Sequence, residues 1–163
     1  MNILIIVAHP DDEVLGMGGT IAKYASNGDK VSIVYLTTGI SSRRNPGYST
    51  KSSYEITVKD QKLMDKEIKK LKANALKSNK ILGITNSIFY DFPDNELDSI
   101  SRLKIIKVIE KEIEKNKPDI IFTNHYGDLN IDHRLVYECC LTACRPTNKN
   151  TPQLFSFGVI SSM

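Results

Sequence analysis

The chain has 163 residues, 40% of them hydrophobic and 25% charged, enough for one domain with a real core. The composition is that of an ordinary globular protein and excludes a disordered, fibrous or membrane-spanning class. A net charge of +3 is too small to call for a nucleic-acid partner. The eight lysines between residues 59 and 80 are interleaved with Asp60, Asp65 and Glu67, the pattern of a solvated helix face.

Residues 2–8 form an apolar run rich in β-branched side chains, read as a buried central strand. A helix is expected over 16–27, stopped by Asn27-Gly28, then a second strand over 30–36. Residues 37–54 read as a long loop of the kind that often binds ligands; its Arg43 and Arg44 suit a carboxylate or phosphate on a substrate, or simply solvent. A long helix follows over 56–82, closed by Gly83. A short strand is expected over 87–90, a turn-rich loop over 91–98, and an amphipathic helix over 100–116. A fourth strand over 119–124, a helix over 132–144 and a last strand over 154–160 complete the alternation. Such alternation implies an α/β fold with a mostly parallel sheet flanked by helices. Cys139, Cys140 and Cys144 share one expected helix, where disulfides fit poorly and C-x₂-C zinc spacing is absent; reduced thiols and a cytoplasmic protein are expected. No basic leader precedes the first apolar run, and no stretch reaches a membrane span.

Two polar clusters stand out. His9-Pro10-Asp11-Asp12-Glu13 follows the first strand, and residues 125–133, from His125 to His133, follow the fourth. Charges at the end of a buried strand need a cation, a partner or water. Ligands of open α/β sheets bind at the carboxyl ends of strands. Asp91, after the third strand, falls on the same rim. One imidazole and one carboxylate from the first cluster, His9 and Asp12, with His133 from the second, supply the three ligands of a catalytic zinc or ferrous site. Asp11 is then left to take a proton from the attacking water, whose pKa such a metal lowers to about 7. Glu13 reads either as a charge favoured at a helix N-terminus or, with Asp128, as a spare ligand for a two-metal phosphoesterase. Gly16, Gly18 and Gly19 lack the spacing of a dinucleotide loop and suit close packing of a helix on the sheet.

Ala8-His9-Pro10-Asp11-Asp12-Glu13-Val14-Leu15-Gly16, with Gly18-Gly19-Thr20 and Leu36-Thr37-Thr38-Gly39, resembles the LmbE-like (PIG-L) de-N-acetylases. So do Gly127-Asp128-Leu129-Asn130-Ile131-Asp132-His133-Arg134 and Ala143-Cys144-Arg145-Pro146. The resemblance implies a Rossmann-like three-layer sandwich. It implies a divalent metal, usually zinc, with ferrous or another divalent ion as the alternative. It implies removal of acetyl from a GlcNAc-type amino sugar or its conjugate. By motif position it makes His9, Asp12 and His133 the ligands and Asp11 the base, and it has Asp132 orient a neighbouring histidine. Many members carry histidine where Asn130 stands, so Asn130 is expected to donate to the oxyanion, with His125 or Asp11 as the acid. Lys72 and Asn74 stand where members often carry Arg and Glu, and Gly158 where many carry Glu. Relatives continue beyond the segment ending at Ser161-Ser162. The expectation is one de-N-acetylase domain over residues 1–163, shortened at its C-terminus. Its partner would be a small N-acetylated sugar, with neither nucleic acid nor membrane; a homo-oligomer is left open. The alternatives are a non-catalytic binding protein or a phosphoesterase on the same scaffold.

Overall fold

The structure, a computed structural model, describes residues 1–40, 42, 57–146 and 151–160. Arg43, Arg44, Ser161 and Ser162, and most of the loop expected over 37–54, lie outside the described residues. In chain order the elements are β1 (Asn2–Val7), α1 (Asp12–Ser26), β2 (Lys30–Thr37), α2 (Val58–Leu82) and β3 (Asn86–Phe92). A short 3₁₀ turn (Leu97–Ser99) precedes α3 (Arg102–Asn116), β4 (Ile120–Asn124), α4 (Ile131–Ala143) and β5 (Gln153–Phe157). The sheet runs β3-β2-β1-β4-β5, and every pairing is parallel. This is the Rossmann-like three-layer architecture.

The unbroken apolar run of β1 follows from burial on both faces. Leu4, Ile6 and Ala8 pack with Ile105 and Ile109 of α3 and Leu135, Val136 and Cys140 of α4. Ile3, Ile5 and Val7 pack with Met17 and Ile21 of α1 and Ala75 of α2. The helix α2 opens with a capping box between Thr57 and Asp60 and closes on Gly83, whose φ of 81° is left-handed. No helix among the described residues is long and apolar enough to cross a membrane, and all three cysteines are free and buried.

The first helix starts at Asp12, four residues earlier than the glycines had indicated. Asp12 and Glu13 occupy its first turn, where backbone N–H groups favour negative charge. The helix then kinks at Met17, with φ −146°. Gly16 lies against β5: a Cβ there would sit 2.3 Å from Phe157 Cδ2 and 2.9 Å from the Gly158 carbonyl oxygen. Gly16→Ala should therefore destabilise the protein by about 1–3 kcal/mol, the usual cost of overpacking. Denaturant midpoints with an unchanged slope would measure it, and a parent-like midpoint would show that β5 yields freely.

The chain leaves β1 toward β2 on one side, whereas β4 lies on the other side. The carboxyl ends of β1 and β4 thus flank the switch point of the sheet, where ligands of such folds bind. The first polar cluster leaves β1 there, and the second leaves β4.

Candidate metal centre

The end of β1 is fixed from both neighbours. Ala8 N donates to Asn124 Oδ1 of β4 at 2.9 Å. The Ala8 carbonyl accepts from Thr37 N at 2.9 Å and from Thr37 Oγ1 at 3.0 Å. The chain then turns sharply. Asp11 has φ 142°, a conformation L residues rarely adopt, and its N–H donates to Glu13 Oε2 at 3.2 Å. Asp12 is 2% exposed. Its Oδ2 accepts from His9 N at 2.9 Å and Asn124 Nδ2 at 3.1 Å.

His133 enters from the first turn of α4. Its Nδ1 lies 2.8 Å from Asp128 Oδ2, and its Nε2 lies 3.2 Å from Asp12 Oδ1. His9 Nδ1 lies 3.1 Å from that same Nε2. His9 Nδ1, Asp12 and His133 thus offer three converging ligand atoms from buried residues. Two buried imidazole nitrogens facing each other need a shared proton or a cation between them. Tetrahedral zinc with Zn–N of about 2.0–2.1 Å places two nitrogens roughly 3.3 Å apart, close to the spacing found here. The donor set fits a divalent ion. The carboxylate of Asp128 beside Nδ1 is the usual device that fixes the ring and leaves Nε2 for a metal.

The far side of His9 meets two more carboxylates. Nε2 lies 2.9 Å from Asp94 Oδ1 and 3.3 Å from Asp132 Oδ2, without an aligned hydrogen bond to either; these are ion pairs. Burial opposes charge on this ring, but Asp132, Asp94 and Asp12 together raise its pKa to about 10. Burial likewise opposes charge on Asp12, yet His133 and His9 hold its carboxyl below the usual range. His133 is raised by Asp12 and Asp128 against its own desolvation.

The structure brings His9, Asp12 and His133 together and puts Asp11 at the head of α1. Asp132 Oδ2 and Oδ1 accept from Asn95 N at 2.7 Å and Leu97 N at 3.2 Å, besides facing His9. Asn130 is the N-cap of α4: its Oδ1 accepts from Asp132 N at 2.9 Å, which makes Nδ2 the donating end of the amide. His125 Nδ1 accepts from Gly127 N at 3.0 Å. Asp91 lies inside β3, pairs with Lys72 at 2.6 Å and is 72% exposed.

The two spare ligands of a phosphoesterase reading are otherwise engaged. Asp128 holds His133. Glu13 is 1% exposed; burial raises its pKa to about 7, although a hydrogen bond with Tyr35 opposes the shift. Three contributors escaped the sequence reading: Asp94, Asn124, and Asp128 as the partner of His133. Asn124 did carry a signal, an amide closing an otherwise apolar strand.

Residues 4–144 match the PIG-L family, described as GlcNAc-PI de-N-acetylase. An uncharacterized deacetylase, YaiS, of Escherichia coli (strain K12) is 32% identical over 168 residues, covering 99% of this chain and 75% of that protein. A probable N-acetyl-alpha-D-glucosaminyl L-malate deacetylase 2 of Bacillus anthracis is 28% identical, covering 91% of this chain and 62% of that protein. The solved N,N'-diacetylchitobiose deacetylase from Pyrococcus horikoshii, complexed with its inhibitor MPG, aligns with a TM-score of 0.67 at 26% identity. That alignment covers 91% of this chain and 52% of the other. The chain thus spans between 52% and 75% of the length of these relatives. The family match begins in β1, before His9 and Asp12, and runs past His133 to the C-cap of α4, so it takes in every residue of the centre: the chain belongs to the PIG-L family.

Proposed function

We propose that the chain is a zinc-dependent hydrolase that removes the acetyl group from an N-acetylated amino sugar of GlcNAc type, or its conjugate. The observation carrying this is the convergence of His9 Nδ1, Asp12 and His133 Nε2 directly beside Asp11 on its strained backbone. Three protein ligands with nitrogen and oxygen donors are the catalytic zinc pattern, with ferrous iron second. A cation held there supplies Lewis acidity, polarising the acetamide carbonyl and acidifying nearby water.

The remaining roles belong to the chain. Asp11 takes one proton from the water that attacks the carbonyl carbon. The Asn130 amide donates to the oxygen that becomes negative. Asp11 returns the proton to the nitrogen as the C–N bond breaks, giving acetate and a free amine. Asp128 keeps His133 in the Nε2-coordinating tautomer. Free, buried cysteines support a reducing compartment, and we place the protein in the cytoplasm.

The test is metal analysis of purified protein together with amine and acetate release from N-acetylglucosamine conjugates, with and without a chelator. Metal-loaded protein that releases neither would sink the reading. His125 gives a second check. Because Asp11 both takes and returns the proton, His125→Ala should leave the shape of the pH–rate profile unchanged. Loss of a limb near a histidine pKa of about 6.5 would instead make His125 the acid.

A further inference from the structure

The turn between β3 and α3 does more than connect two elements. Asp94, 2% exposed, divides its carboxylate between two segments distant in sequence. Oδ1 faces His9 Nε2 at 2.9 Å. Oδ2 accepts from both Ser42 N and Ser42 Oγ at 2.9 Å. The next residue closes the same ring of contacts: Asn95 Nδ2 donates to Ser42 Oγ at 2.7 Å, and Asn95 N donates to Asp132 Oδ2 at 2.7 Å. Asn95 itself has φ 55°, a left-handed conformation that asparagine tolerates. The turn is thus clamped between α4, His9 and the chain beyond β2.

His9, Asp94 and Asp132 also satisfy the geometry of a second cation site. That occupancy is poorly suited to these groups. Both oxygens of Asp132 accept backbone N–H groups, Asp94 Oδ2 accepts from Ser42, and His9 would have to serve two ions. A histidine ligand whose other nitrogen faces a carboxylate is the common arrangement.

We propose that Asp94 is a positioning residue that couples Ser42, on the chain leaving β2, to the His9 ligand, so that contacts made at Ser42 set how tightly the centre holds its metal. The proposal rests on the metal reading given above. One oxygen aims the His9 ring so that Nδ1 faces Asp12 and His133. The other oxygen is held by Ser42. A shift of Ser42 therefore moves the carboxylate that aims the ligand. Asn at position 94 keeps the shape but cannot accept on both ends, so one of the two links is lost.

The experiment is Co²⁺ binding to the full chain, read by chelator competition and by the visible absorption of the bound ion, which reports ligand geometry. Asp94→Asn should weaken Co²⁺ by roughly 10–100-fold, the usual effect of losing an outer partner of a histidine ligand, and should alter the spectrum. Ser42→Ala touches no ligand, yet should weaken Co²⁺ by a few-fold in the parent background and not at all in the Asp94→Asn background. Lys72→Ala, which removes the pair with Asp91 and the ammonium over the Phe89 ring but no partner of Asp94 or His9, should change neither readout. Ser42 is exposed, so its variant carries the test should Asp94→Asn fail to fold. A parent-like affinity and spectrum in Asp94→Asn, or in Ser42→Ala, overturns the coupling while leaving the metal centre standing. A parent chain that binds no Co²⁺ overturns both.

Discussion

Asp11→Asn should retain a full equivalent of metal while the chemical step falls by roughly 10²–10⁴-fold, the usual range for loss of a general base. The amide matches the carboxylate in size, and neither the His9–Asp12–His133 convergence nor the bond from Asp11 N to Glu13 depends on the Asp11 charge. What the variant loses is the ability to accept a proton. The substrate's KM should move far less than kcat, because the base acts in the transition state rather than in binding. Single-turnover amine release with saturating metal gives the rate, and metal analysis gives the occupancy. Parent-like turnover would transfer the role to another group. Loss of metal would make Asp11 a ligand and reopen the place of Asp12.

Why Asp11 stands where it does was only partly legible in the sequence. The alternation of apolar runs and amphipathic stretches is enough to order the strands and helices, because β1 is buried on both faces and reads as a continuous run. The two clusters were visible because charge at the end of a buried strand is conspicuous. The clusters meet because β1 and β4 are neighbours, and that adjacency follows from the topology. Asp94 had no comparable signal. It sits in a polar stretch that also holds Asp91, Asn95 and Glu96, and only the folded chain tells that Asp94 is buried against His9 while Asp91, at the end of β3, faces solvent with Lys72. The start of α1 was obscured for a related reason. The helix expected from Gly16 onward in fact begins at Asp12 and passes through Gly16, where Phe157 approaches too closely for a Cβ, before it kinks at Met17. The positive φ of Asp11 is likewise invisible in composition, since no glycine marks it. It is held by the local bond to Glu13 and by the long-range ties on Ala8.

His133→Ala should weaken metal binding by more than about 100-fold, beyond what removal of an outer partner such as Asp128 does, because it deletes one of three ligands. The comparison is direct: Asp128→Asn leaves Nε2 in place and should fall within the roughly 10–100-fold range. The pH dependence separates this from general damage. In the metal-free chain His9 titrates near pH 10 in the folded state against about 6.5 when unfolded. A raised pKa stabilises fully below the unfolded value and is lost as pH rises toward 10. His133 is raised as well and works in the same direction. Asp12 is depressed, so its contribution is present above the unfolded carboxylate value of about 3.9 and is lost in acid. Metal-free protein should therefore be most stable between these limits and weaken as the solution becomes alkaline. Metal must displace the imidazole protons, so its affinity should rise with pH by up to about tenfold per unit for each proton released. Bound metal at 100 times its Kd adds about 2.7 kcal/mol, and that increment should grow as pH climbs from 6.5. In His133→Ala the thermal shift on adding Zn²⁺ should shrink to a small fraction of the parent's, while the alkaline weakening due to His9 persists in reduced form. A parent-sized Zn²⁺ shift in this variant would take His133 out of the centre.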